Sequence, residues 1–190
     1  APQRDLPGRA RGASGGDSRT ASRSDLLGDV QAAWDALGAQ PETADLPRLA
    51  LGHSEGAYLV SELASRSPEA AGLILICGST RSLADVTRWQ VESLVLQQGA
   101  SEAQVSAALE QEDEFISFVK ESSGQWADYT VEQLRHSLPW LTDAAAQQLK
   151  ASALGLAWLR EHYNADPVSM LAEVRCPVLI VSAGKDAQVP

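Results

Sequence analysis

The sequence predicts an α/β protein whose parallel sheet is interrupted by a helical insertion. Short apolar runs at 49–51, 73–77 and 178–181 alternate with segments of helical periodicity, the pattern of a parallel α/β sheet. The second run is continuous rather than alternating, as expected for a parallel strand covered on both faces, and the third repeats that character. About a hundred residues of helical pattern separate these two runs, and we interpret them as an insertion.

Composition favours a globular domain and argues against a nucleic-acid partner or a membrane span. With 190 residues, 44% of them apolar, the chain can bury the core of one globular, soluble domain. A formal net charge of -10 repels phosphate backbones and anionic lipids, so no nucleic-acid partner is predicted. No apolar run approaches the roughly 20 residues of a membrane span. No His, Cys and carboxylate cluster has metal-ligand spacing, and neither metal nor cofactor is predicted.

The two cysteines adjoin apolar runs and are predicted to be buried thiols. Cys77 ends one run and Cys176 precedes another, and two cysteines are too few for a disulfide framework. This usage is compatible with the reducing cytoplasm, the location that we predict, but does not require it.

A helix is predicted after a polar N-terminal arm. Residues 1–23 contain Gly, Ser and Arg without apolar periodicity, which is typical of a loop or a disordered arm. Ser24 is the predicted N-cap, and Gly38 and Pro41 end the helix. The predicted apolar face comprises Leu26, Leu27, Val30, Ala33, Trp34 and Leu37.

The segment Gly52-His53-Ser54-Glu55-Gly56 lies between an apolar run and a predicted helix over 55–66. A tight turn between strand and helix lifts a serine hydroxyl above the sheet, with glycines on either side because a Cβ would crowd the turn. Ser54 is therefore the candidate nucleophile. The first N–H groups of the helix would point toward the site, and the backbone N–H of Glu55 is the predicted oxyanion donor.

The five-residue pattern occurs twice, so context must select between the copies. A random chain of this composition would contain one about one time in ten, and Gly12-Ala13-Ser14-Gly15-Gly16 matches equally well. Ser14 has neither a strand before it nor a helix after it, and we assign it to a flexible loop. For Ser54 the alternative is a helix N-cap in an ordinary connection. His53 is expected to support the turn rather than to act as the base.

A carboxylate follows the third apolar run. Asp186 lies in a Gly-containing loop just after residues 178–181, where it could orient an imidazole. In hydrolases with a nucleophile elbow the triad runs Ser, then Asp or Glu, then His, and Asp186 stands in second place. The alternative is a solvated aspartate in a turn.

The insertion has helix-start signals and most of the aromatic residues. Ser101 with Gln104, and Thr130 with Gln133, have capping-box spacing. Eight of the ten aromatic residues lie here. They would either cover an apolar pocket or, as is more common, pack the helices together. One predicted apolar face comprises Val105, Ala108, Leu109, Ile116 and Val119.

Three stretches resemble the α/β-hydrolase superfamily, nearest to its lid-bearing serine esterase and aminopeptidase-like branch. Residues 52–57 resemble the nucleophile elbow, and residues 166–190 resemble the approach to the acid loop. Residues 5–14 resemble the Asp-x-x-Gly-x-Gly-x-Ser loop that follows an early strand, with one irregular step. The elbow and the acid loop are the specific parts of the resemblance.

The resemblance implies an incomplete α/β-hydrolase parallel sheet with a helical lid. Residues 1–80 would belong to the core and contain the elbow, residues 81–165 would form the lid, and residues 166–190 would return to the core with the acid loop. In such an enzyme Ser54 attacks the ester, amide or related acyl carbon of a small-molecule substrate, and Asp186 orients the base.

The resemblance also implies a histidine some tens of residues after the acid. Only four residues follow Asp186, and His136 and His162 precede it. The early strands of the family would precede residue 1. We therefore expect a piece of a longer hydrolase, with little or no activity alone. Two alternatives remain: a lid histidine replaces the base, or the chain is a non-catalytic protein of this fold that binds a small ligand.

Overall fold

The computed structural model describes Asp17 and residues 19–189. The first half contains α1 (Arg23–Ala39), β1 (Arg48–His53), α2 (Glu55–Arg66) and β2 (Ala70–Ile76). The second half contains α3 (Leu83–Gln97), α4 (Glu102–Glu121), a 3-10 turn (Trp126–Asp128), α5 (Val131–Ser137), α6 (Asp143–Lys150), α7 (Leu156–Asn164), α8 (Pro167–Ala172) and β3 (Val178–Val181). The resemblance proposed for residues 5–14, and Ser14 with it, lies outside the described residues.

The three strands form one parallel sheet in the order β1-β2-β3. Leu51 pairs with Ile74, which pairs in turn with Leu179. The predicted α/β class with a parallel sheet is confirmed. Because the strands are parallel, the loops that follow them all lie at the same end of the sheet, where the carboxyl ends of the strands meet.

Helices α1, α2 and α8 pack on one face of this sheet. Ala50, Leu73 and Leu75 are buried there in the first apolar cluster. On the opposite face Leu51 is 58% exposed and Leu179 is 57% exposed. The expectation that the third apolar run is covered on both faces is wrong within the described residues: all four β3 residues are exposed, because none of them joins the apolar cluster between the sheet and its helices.

Helix α1 begins two residues earlier than predicted. Ser22, not Ser24, is the N-cap: its hydroxyl accepts the Asp25 N–H at 3.1 Å, and the Asp25 carboxylate accepts the Ser22 N–H at 2.8 Å. Ser24 instead donates through both its N–H and its hydroxyl to Glu161 of α7, each at 2.7 Å. Serine thus occurs at both positions, and the acidic residue three positions after Ser22 decides between them.

A second apolar cluster lies within residues 83–163. The capping boxes predicted at Ser101 and Thr130 are both present. Trp126 is buried and stacks against Phe115 and Phe118, with ring centroids 6.3 and 6.4 Å apart. These aromatic residues pack the helices together, which is the more common of the two interpretations. Among the described residues, no helix has both the length and the apolar character needed to cross a bilayer.

The two cysteines are free and only half-buried, so the prediction of buried thiols is wrong in degree. Cys77 comes directly after β2 with a φ of 48°, a left-handed conformation that is uncommon for residues with a Cβ. Cys176 lies just before the exposed edge strand. Both positions are at strand ends, where the cover of the sheet is incomplete.

Candidate functional site

Ser54 is the single residue between β1 and α2. Its backbone has φ 53° and ψ -120°, a conformation that costs energy for any residue with a Cβ. The Ser54 N–H donates to the Ile76 carbonyl at 2.9 Å, which carries the β1-β2 pairing into the turn. The strand, sharp turn and helix predicted around Ser54 are confirmed, and the serine itself is exposed.

The two glycines of the turn differ in their steric role. A Cβ on Gly52 would lie 2.2 Å from the Gly56 carbonyl oxygen, so this position requires glycine. A Cβ on Gly56 would meet nothing within 4 Å, and the expectation of crowding on both sides of Ser54 is wrong there. The close helix contact lies one residue later, since a Cβ on Gly78 would be 2.5 Å from the Ala57 Cβ.

Ser54 occupies the N-cap position of α2 but does not act as a side-chain cap. Its hydroxyl makes no capping hydrogen bond, while its carbonyl accepts the Ala57 N–H at 3.0 Å. The alternative that Ser54 serves the helix through its side chain therefore finds no support in the geometry. Glu55 is the first helical residue, and the first N–H groups of a helix have no intrahelical acceptor.

The loop that contains Asp186 lies at the same end of the sheet as Ser54, because both follow the carboxyl ends of parallel strands. The Cys77 N–H donates to the Val181 carbonyl at 2.8 Å, at the point where β3 ends. The Asp186 carboxylate accepts the N–H groups of Gln188 at 2.8 Å and Val189 at 3.1 Å. These two bonds, with smaller contributions from Cys77 and His53, lower the pKa of Asp186.

Asp186 is thus held as a carboxylate by its own loop, two strands from Ser54. Among the residues that the structure describes, no imidazole donates to it. His53 lies at the end of β1 and is exposed. Its predicted supporting role in the turn stays a prediction, as does the role of Asp186.

A partly buried contact beside the Ser54 turn was not anticipated from the sequence. The Glu55 carboxylate accepts the indole N–H of Trp158 at 2.6 Å. His162 Nε2 lies 3.0 Å from the same oxygen, although neither ring nitrogen has a hydrogen-bond partner in the described part of the chain. The rings of Trp158 and His162 lie 4.2 Å apart. The one available signal is their spacing of four residues, which places both on one face of α7.

Burial shifts the pKa values of Glu55 and His162 in opposite directions. It raises the pKa of Glu55, and the hydrogen bond from Trp158 and the charge of Arg23 offset part of that effect. Burial also lowers the pKa of His162 to about 4, to which Arg23 contributes. His162 is therefore a neutral imidazole at pH 7. His136, by contrast, is exposed on α5.

A buried ion pair joins α1 to α2 behind this contact. Arg23 donates to the Glu62 carboxylate, and each side chain is only 9% exposed. Arg66 donates to the other oxygen of Glu62 from a largely exposed position. Arg23 also lies 3.6 Å from the sulfur of Met170 on α8. The ion pair therefore fixes α1 against α2, two of the helices that pack on the sheet.

Burial of His162 predicts a loss of stability in acid. The unfolded chain binds a proton near pH 6.5 and the folded chain only near pH 4, so the free energy of unfolding falls as the pH drops between these values. The full effect is about 3 kcal/mol. The raised pKa of Glu55 acts in the opposite direction and offsets part of the loss.

Urea unfolding at several pH values tests this expectation. The His162→Leu variant should have a flatter dependence than the parent between about pH 4 and 6.5. The exposed His136→Leu variant is the matched control and should follow the parent. Parallel curves for the parent and His162→Leu would contradict the assignment.

Comparison with known proteins identifies a family. A sequence model described as the alpha/beta hydrolase family matches residues 5–190. No curated protein matches the chain. In the described residues, no group of three or more His, Cys, Asp and Glu side chains is arranged to hold a metal ion.

Proposed function

Because the chain belongs to the alpha/beta hydrolase family, we propose that it is a serine hydrolase acting on an ester, amide or related acyl bond of a small molecule. Ser54 is the nucleophile, and the backbone N–H of Glu55 is one oxyanion donor. Asp186 orients the histidine that takes the serine proton. Family membership supports hydrolysis, and the residues of the site support the serine mechanism.

The observation that carries the proposal is the backbone of Ser54. A residue with a Cβ is held at φ 53° between a strand and a helix, with its hydroxyl exposed and unused by the helix. Strain of this kind persists only where the surroundings impose it, and it is concentrated at functional sites. The clash that any Cβ at Gly52 would meet supports the same conclusion.

The proposal also includes a base and a lid. The catalytic histidine follows Asp186 outside these 190 residues, in keeping with the usual order of the triad. Residues 81–165 form a lid, as in the esterase and aminopeptidase-like branch that the sequence resembles. Their separate apolar cluster supports this division.

Labelling with a fluorophosphonate probe tests the proposal. We expect the full-length protein to be modified at one serine, which mass spectrometry of the labelled peptide identifies as Ser54. Ser54→Ala should abolish labelling, and Ser14→Ala, which alters the second copy of the same pattern, should not. Labelling that survives Ser54→Ala would refute the proposal. A small ligand that binds without any labelling would favour a non-catalytic binding protein.

Residues 1–190 alone should label and hydrolyse little, because no histidine follows Asp186 in them. Loss of a triad member typically costs several orders of magnitude in rate. Ester turnover by these residues that Ser54→Ala reduces would mean that one of the three histidines of the chain serves as the base.

A further inference from the structure

Helix α7 of the insertion contacts the elbow through the side chain of Glu55. The Glu55 carboxylate is half-buried and accepts the Trp158 indole N–H at 2.6 Å. The two residues are 103 positions apart in the chain. A hydrogen bond to a carboxylate is about twice as strong as one between neutral groups. This bond therefore connects the insertion directly to the residue that follows Ser54.

Helix α7 is itself anchored on both sides. Glu161 accepts two hydrogen bonds from Ser24 of α1, each at 2.7 Å. Arg160 donates to the Ser122 hydroxyl at 3.2 Å and to the Gly124 carbonyl at 3.3 Å, both beyond the end of α4. Consecutive residues of α7 thus bond to α1 on one side and to the loop after α4 on the other. These bonds fix the position of α7, and therefore of Trp158, relative to Glu55.

The orientation of the Glu55 residue matters because of the peptide that precedes it. The N–H of that peptide is the oxyanion donor in the proposed function, and its direction depends on ψ of Ser54 and φ of Glu55. Ser54 is strained, so relaxation of the turn would rotate this peptide. An oxyanion donor works only when it is aimed in advance at the developing charge.

We propose that the Glu55 side chain and Trp158 are positioning residues that hold the Ser54-Glu55 peptide in its oxyanion-binding orientation. The insertion thereby acts on the rate of acyl transfer. His162 contributes by packing its ring on Trp158, which limits the motion of the indole. The inference rests on the proposed serine mechanism.

Trp158→Phe tests the hydrogen bond, since it removes the N–H and keeps an aromatic ring. For the full-length protein acting on a small ester, we expect kcat to fall about tenfold to hundredfold while KM changes less than about twofold. Trp126→Phe is the matched control. It removes another indole N–H bond of the insertion, 3.0 Å to the Leu154 carbonyl, and should leave kcat unchanged.

Variants at Glu55 provide an independent arm if Trp158→Phe folds poorly. Glu55→Gln keeps an oxygen that accepts the indole N–H and should retain most of kcat, whereas Glu55→Ala should lose as much as Trp158→Phe. The double variant Glu55→Ala/Trp158→Phe should lose no more than either single variant, because both remove one interaction.

Equal kcat values for Trp158→Phe and Trp126→Phe would overturn the inference, as would equal values for Glu55→Gln and Glu55→Ala. These outcomes are distinct from a failure of the proposed function. That failure would appear in the parent protein as turnover that Ser54→Ala does not reduce, or as no turnover at all.

Discussion

Ser54→Ala is expected to reduce ester turnover by the full-length protein by about 10⁴-fold to 10⁶-fold. The substitution removes the attacking oxygen and leaves the turn, which depends on Gly52 rather than on the serine side chain. The Ser54 hydroxyl makes no capping bond, so α2 loses nothing by its removal. Initial rates on a chromogenic ester, with circular dichroism of both proteins, measure the effect.

Ser65→Ala is the matched control for this experiment. Ser65 lies on the same helix, and its hydroxyl donates to the Glu62 carbonyl at 2.8 Å, away from the turn. We expect its turnover to stay within about twofold of the parent. If both variants lost the same activity, the hydroxyl of Ser54 would have no special role, and the effect would be one on the helix.

The elbow could be predicted from sequence because its determinants are local. A short apolar run, a glycine that tolerates no Cβ and a helical periodicity adjoin one another within 18 residues, 49–66. The predicted helix over 55–66 matches Glu55–Arg66. The short-range signals of capping were equally informative where an acidic or amide residue followed at the third position, as at Ser101 and Thr130.

Prediction failed where burial or space depends on distant residues. A continuous apolar run indicates a strand but not how many faces are covered, and β3 lies at an edge of the described sheet with all its residues exposed. Glycine at position 56 fits the elbow pattern, yet the space around it is open. Such features depend on which segments pack nearby, and no local pattern records this.

The contact between Trp158, Glu55 and His162 is the clearest case of a feature that sequence alone does not disclose. Tryptophan in a helical insertion is usually a packing residue, and glutamate at a helix start is usually explained by the helix dipole. Only the fold brings the carboxylate and the indole N–H together. The same holds for Arg23, which falls in the predicted N-terminal arm, and for Glu62, which is an ordinary charge on a predicted amphipathic helix.

Glu62→Ala is expected to lower the free energy of unfolding by about 3–5 kcal/mol. It leaves the Arg23 guanidinium, whose side chain is 9% exposed, buried without its carboxylate. The loss should be much larger than for an exposed pair. Asp143→Ala breaks the pair with Arg135, where the side chains are 74% and 49% exposed, and should cost less than about 1 kcal/mol. Urea unfolding measures both.

We expect most of the cost of Glu62→Ala to come from the unpaired buried charge of Arg23 and not from the lost attraction between the two side chains. A second variant separates these two contributions. Arg23→Met combined with Glu62→Leu removes both charges and keeps apolar volume between α1 and α2. Because two charges no longer have to be desolvated, this double variant should be more stable than Glu62→Ala alone. A double variant as unstable as Glu62→Ala would show that the ion pair itself stabilises the fold. A cost for Glu62→Ala no greater than that for Asp143→Ala would mean that Arg23 reaches solvent once its partner is gone.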